Sequence, residues 1–149
     1  MTPQEWGPPI WTLFHTLVER MREESYTIVG PTLFSFIYRI SGYLPCPECS
    51  QHARTFLSNI NPSTLKTKDD LRSMLYIFHN VVNKKKSKPM FNSELLVQYK
   101  TKRLIPVLNH FLSVYNNRGN MQMLTESFQR QFIIQDFKKW IMAHIVHFS

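Results

Sequence analysis

Only four glycines and two cysteines occur in this chain of 149 residues. So little glycine, set against long helical periods in the apolar residues, argues against a β-rich fold. It also leaves no GxGxxG loop, which makes a Rossmann-type dinucleotide site unlikely. Two cysteines cannot build a secreted disulfide scaffold, and their close spacing fits an intracellular redox or metal motif better. No apolar run approaches the roughly 20 residues needed to span a bilayer. The opening MTPQEW has no basic n-region and no apolar h-region, so no signal peptide is expected. Acidic residues are few: 10 Asp and Glu stand against 18 Lys and Arg, a net charge of +8. Nucleic acid, a pyrophosphate group or an acidic partner each matches that charge. No repeat or low-complexity segment is present.

Apolar residues make up 43% of the chain, ample for the core of a single domain. Five or six helices are expected. Trp11, Phe14, His15 and Val18 mark one face of a helix over residues 9–22, and Leu33, Phe34, Ile37, Tyr38 and Ile40 mark one over 31–42. A third starts at the cysteines and carries His52, Phe56 and Leu57 to about Asn59. A fourth starts near Asp69 and Asp70 and ends near Ser87, ahead of Lys88-Pro89. Similar lengths and short connections predict an antiparallel bundle. Residues 93–115 read as helix, kinked or split at Pro106, and 121–148 as a last helix after the break at 116–120. His110, His144, His147, Met121, Met123 and Trp140 are read as core or surface residues without a chemical role.

Cys46-Pro47-Glu48-Cys49 holds the only cysteines. A pair two residues apart can close a disulfide within one helical turn, so it is a poor long-range staple. Pro47 suits a first helical position, where its missing N–H costs nothing. Cys46 then falls at the N-cap and Cys49 in the first turn, where the helix dipole favours thiolate. Redox exchange, metal binding and a local bridge all remain open from this motif alone.

Three other segments belong with it. In Trp6-Gly7-Pro8-Pro9-Ile10-Trp11-Thr12-Leu13-Phe14-His15, Trp11 and His15 share a helix face and can sandwich a flat ring, although such a pair alone is more often core packing. His52 lies one turn after Cys49. In His79-Asn80-Val81-Val82-Asn83, polar groups on a face headed into a bundle need partners. Lys84 to Phe91 is a basic tail whose cations suit a phosphate or the helix C-terminus.

The set WGPPIWTLFH, YLPCPECSQH and HNVVNKKKSKPMF resembles the ERV/ALR family of FAD-linked sulfhydryl oxidases, in the compact form encoded by large cytoplasmic DNA viruses. The resemblance covers about Gln4 to Tyr99. It implies an all-α fold, a four-helix bundle of the ERV/ALR type with additional C-terminal helices. Residues 1–99 are then an FAD-binding domain and 100–149 a helical extension packed on it. Homodimers are usual in this family. The resemblance further implies that Cys46 and Cys49 are catalytic and that Gly7, Trp11, His15, His52, His79, Asn80, Val82, Asn83, Lys86, Lys88 and Tyr99 bind FAD. Cys46 would exchange with substrate thiols, Cys49 would pass electrons to FAD, and O2 would take them as hydrogen peroxide. Many relatives carry a further shuttle pair or structural disulfides; this chain has neither. Thiol-containing substrate proteins, or a separate dithiol carrier, are therefore expected to meet Cys46 directly. The expected location is intracellular, in host cytoplasm or the virion, with no membrane span.

Two other classes compete. A zinc-binding interaction module would use Cys46, Cys49 and His52 with His79 as fourth ligand, but zinc sites normally pair C-x2-C with a second two-ligand knuckle. A nucleic-acid-binding helical protein has only the charge to support it. A thioredoxin-like reductase needs a βαβ context that is not readable here. The expectation is therefore no metal and no nucleic acid.

Overall fold

The computed structural model describes residues 3–116 and 124–149. It is all-α, with no strand among the described residues. The helices are α1 (Pro3–Arg20), α2 (Tyr26–Ser41), α3 (Pro47–Ser58), α4 (Lys68–Lys85), α5 (Leu104–Tyr115) and α6 (Leu124–Ala143). A 3-10 stretch, Ser93–Thr101, precedes α5, and a shorter one, Ile145–Phe148, follows α6. Among the described residues no helix is long and apolar enough to cross a membrane.

Helix α1 packs against α4, and α2 against both α3 and α4, which makes the expected four-helix unit. Helix α5 lies on α1 and α6 lies on α2. One buried cluster runs from Trp6 through Phe14, Ile37 and Phe78 to Phe111, Phe137 and Phe148, so the C-terminal helices share the core of the first four. Arg20 secures this arrangement at the end of α1. Its guanidinium donates to the carbonyls of Lys100, Lys102 and Phe148 at 2.9–3.1 Å.

Both early helices start sooner than their sequence pattern predicts. Helix α1 runs through Pro8 and Pro9, which give up two intrahelical donors. The compensation is burial: the added residues place Trp6 on the same inward face as Ile10, Leu13, Phe14 and Leu17. Helix α2 runs through Pro31 from Tyr26, whose ring lies on Gly30 and whose hydroxyl donates to the Leu65 carbonyl at 2.6 Å. Helix α4 begins close to its expected start because Thr67 and Asp70 form a capping box.

The expected helix over 93–115 is two elements. The break falls at Lys102 and Arg103, both in extended conformation, and not at Pro106. Pro106 sits in the first turn of α5, where a proline displaces no hydrogen bond. The last helix is shorter than expected: α6 ends at Ala143 and a 3-10 turn buries Phe148. The expected start at Met121 and most of the break at 116–120 lie outside the described residues.

A Cβ at Gly30 would overlap the Tyr26 ring, which is itself held by the Leu65 carbonyl. Gly30→Ala should therefore destabilise the fold by about 1–3 kcal/mol, the usual cost of overpacking, read from urea unfolding. An unchanged midpoint would contradict this packing.

Candidate functional site

Cys46 is the N-cap of α3, in extended conformation at φ −150° and ψ 105°, and Pro47 is the first helical residue, as the sequence predicts. The Cys49 N–H donates to Cys46 Sγ at 3.2 Å, and the two sulfurs form a disulfide with Cα atoms 5.2 Å apart. The turn leading into them is pinned. Leu44 N–H donates to Ser50 Oγ at 2.7 Å, and Arg54 donates to the Gly42 carbonyl while lying over the Tyr43 ring. On reduction, a sulfur at this position keeps a backbone donor and the positive end of a helix, both of which favour thiolate.

Beside Cys49 is a cavity of about 260 Å³. Trp6, Gly7, Ile10, Trp11 and Phe14 of α1 form one wall. Cys49, His52 and Ala53 of α3, with Glu48 nearby, form the second. Phe78 and Val82 of α4, with Lys85 and Lys86 at its end, complete it. Cys46 is half-buried and outside this wall. Gly7 is buried, yet a Cβ placed there meets nothing within 4 Å. Lys86 lies over the Trp6 ring at 5.3 Å, and burial first, then the nearby Lys88 charge, lowers its pKa. Trp6 Nε1 is buried without a hydrogen-bond partner.

Trp11 also faces a second group. Its ring stacks on His79 with centroids 4.1 Å apart and planes 9° apart. His79 Nδ1 and His15 Nε2 are 2.9 Å apart and joined by a hydrogen bond. Phe91 stacks on both rings, at 5.0 Å from His79 and 5.6 Å from His15, and Tyr99 stacks on His15 at 4.9 Å. One ring nitrogen of the pair must donate and the other accept, so the bond needs an unprotonated acceptor. The surroundings enforce this. Burial, then the neighbouring His79, lowers His15 to about 3; burial, then Lys88, lowers His79 to about 4.

The expected site residues thus fall into three places. Cys49, Gly7, Trp11, His52, Val82 and Lys86 line the cavity. His15, His79 and Tyr99 form the stack that shares Trp11 with it. Asn80 and Asn83 are outside the cavity wall, and their amides bond the backbone at Phe91 and Pro89. Lys88 is exposed on that same segment. Sequence reasoning missed Trp6, Phe78 and Phe91 as site residues. Trp6, Ile10 and Phe14 recur at four-residue steps, a signal hidden by starting the helix at Pro9. Among the described residues no group of three or more His, Cys, Asp and Glu is placed to hold a metal ion.

A model of the Erv1/Alr family matches residues 8–104, which include the cysteine pair and both histidines of the stack. The chain belongs to the Erv1/Alr family. Its relatives include a protein of African swine fever virus named FAD-linked sulfhydryl oxidase, 29% identical over 87 residues, or 58% of this chain and 72% of the relative. A rice protein named FAD-linked sulfhydryl oxidase ERV1 is 30% identical over 91 residues, 61% of this chain but only 46% of the relative. A protein of Invertebrate iridescent virus 6 is 29% identical over 94 residues, 59% of this chain and 85% of the relative. No solved structure gives a significant match.

The neutral histidine pair predicts a pH dependence of stability. Both folded pKa values lie below the ordinary 6.5, so the unfolded chain takes up protons first as pH falls. The contribution of the pair is complete above about 6.5 and is lost as pH drops toward about 4 and then 3. Glu19, raised chiefly by burial against the pull of Arg72, acts in the opposite sense, but only through the carboxylate range. The urea midpoint should fall steadily from pH 7 to pH 4; a flat profile would contradict a neutral buried pair.

Proposed function

We propose that this chain is an FAD-linked sulfhydryl oxidase that forms disulfides in thiol substrates through Cys46 and Cys49. The observation that carries the reading is the placement of Cys49. One sulfur of a redox-capable pair belongs to the wall of an aromatic cavity with lysines at its edge, while its partner stands outside that wall. Family membership and the names of the viral and plant relatives support the same activity and cofactor.

The residues present fit FAD. Gly7 leaves open space at a buried position, and Trp11 and Phe78 offer ring faces. Lys85 and Lys86 place positive charge at the same wall, suited to a pyrophosphate or an electron-rich ring edge. His52 and Val82 complete the contacts, and the stack of His15, His79, Phe91 and Tyr99 behind Trp11 suits the adenosine part. Asn80, Asn83 and Lys88 belong to this half of the site. When bound, FAD supplies the acceptor for an electron pair and its return to O2 as hydrogen peroxide.

The chain's own part is thiol exchange. A substrate thiolate attacks Cys46 Sγ, the Cys46–Cys49 bond breaks, and Cys49 departs as a thiolate. A second substrate thiolate attacks the substrate sulfur of the mixed disulfide, so the substrate leaves oxidised by two electrons and Cys46 is released reduced. The α3 N-terminus stabilises the leaving sulfur in each step, and the cavity wall holds the Cys49 thiolate. No shuttle cysteine exists in the sequence, so substrate proteins or a separate dithiol carrier meet Cys46 themselves. On this reading residues 1–99 form the cofactor domain and 100–149 an extension packed on it. The family resemblance supports a homodimer, and the viral relatives support an intracellular location.

Titration of the purified chain with FAD tests the reading. Wild type should become yellow and consume O2 with dithiothreitol, whereas Cys49→Ser should keep FAD and lose oxygen uptake. Gly7→Leu should fill the open space and weaken FAD binding by at least about tenfold with little change in unfolding midpoint. A folded wild-type chain that refuses FAD would sink the proposal.

A further inference from the structure

The segment after α4 turns back on the helix it leaves. Ser87, at φ 57°, lies in the left-handed region and reverses the chain. Lys88 N–H then donates to the Asn83 carbonyl at 2.8 Å, and Asn83 Nδ2 donates to the Pro89 carbonyl at 3.3 Å. Asn80 completes the return by meeting both backbone groups of one residue. Phe91 N–H donates to Asn80 Oδ1 at 2.6 Å, and Asn80 Nδ2 donates to the Phe91 carbonyl at 3.3 Å. The amide side chain, with one acceptor and two donors, is matched to that pair of groups, and carboxylate is not. Fixing the Phe91 backbone seats its ring on His79 and His15.

We propose that Asn80 is a positioning residue of the cofactor site that acts through Phe91, with Asn83 holding the turn before it. The two amides latch residues 86–91 as a strap across the histidine pair, and the strap supplies one wall of the adenosine part of the site. Neither amide lines the cavity, and the bonds just described occupy both ends of the Asn80 amide. The proposal rests on the FAD reading for its effect on binding, but the latch itself does not.

The test is FAD titration of the full chain as wild type, N80A, F91A and N80A/F91A, with trypsin cleavage within Lys84–Lys88 followed in the FAD-free protein. Each single variant should bind FAD about tenfold more weakly, the scale of one or two lost hydrogen bonds or a lost ring contact. The double variant should be no weaker than F91A beyond about twofold, because Asn80 works only through the ring it holds. N80A should also be cut faster than wild type. A double variant about a hundredfold weaker than wild type, the product of two independent losses, would overturn the proposal.

N80D separates latching from direct contact. Aspartate keeps the 2.6 Å acceptor for Phe91 N–H but turns an acceptor, not a donor, toward the Phe91 carbonyl. It should recover trypsin resistance and FAD affinity together, and in the same partial measure, relative to N80A. Resistance recovered with affinity still at the N80A level would mean that the amide touches the cofactor, and would overturn the proposal. If N80A does not fold, the cycle of N80D, F91A and N80D/F91A applies the same criterion. If wild type binds no FAD, the functional reading fails on its own, and equal cutting of wild type and N80A then decides against the latch.

Discussion

The hydrogen bond between His15 and His79 is the constraint from which the rest of the site follows. It joins α1 to α4, two of the three helices that wall the cavity. It survives only if one imidazole is an unprotonated acceptor, a state that exclusion of water extends to lower pH. The stack of Trp11, Phe91 and Tyr99 provides that exclusion, and each ring arrives by a different route. Trp11 comes from α1 itself. Phe91 comes from the segment returned by Asn80, and Tyr99 from the 3-10 stretch whose end Arg20 ties down. A neutral pair is thus the consequence of several separate packing decisions, and it in turn sets the spacing of the two helices beside the cavity.

The cysteine pair depends on a local constraint instead. An N-cap cysteine followed by proline places one sulfur at the positive end of α3 and the other one turn in. The turn before it is held by Ser50 and Arg54, so the pair is presented by a rigid edge. Two sulfurs on one short turn then have different surroundings: one is outside the cavity wall and one is part of it. Exchange needs an accessible sulfur, and electron donation needs a thiolate held at the cofactor. On the proposed function, one pair serves both needs.

What the sequence disclosed divides along the same line. The Cys46 cap was readable because a proline after a cap candidate is a local signal. The start of α4 is readable within a residue or two because Asp69 and Asp70 suit the positive end of a helix, and the capping box of Thr67 and Asp70 fixes it there. The start of α1 is not, because two prolines discourage helix and only the tertiary burial of Trp6 outweighs them. The 3-10 stretch over 93–101 shares apolar spacing with an α-helix and was read as one. Asn80 and Asn83 stand out in the sequence as polar groups on an inward helix face, but their partners are backbone groups six to eleven residues away along the chain. No periodicity reports such a return; it appears only once the loop is closed.

These parts make one account: a disulfide at a helix start, its inner sulfur at a cavity, and a dry aromatic stack behind the cavity wall. Its central claim is that the only cysteine pair delivers substrate electrons to FAD directly. Anaerobic mixing of FAD-loaded chain with excess dithiothreitol tests this most directly, with flavin colour followed in wild type and in Cys49→Ser. Wild type should bleach rapidly, and Cys49→Ser should keep its colour. Equal bleaching in both would show that electrons reach the flavin without the pair, and would contradict that claim.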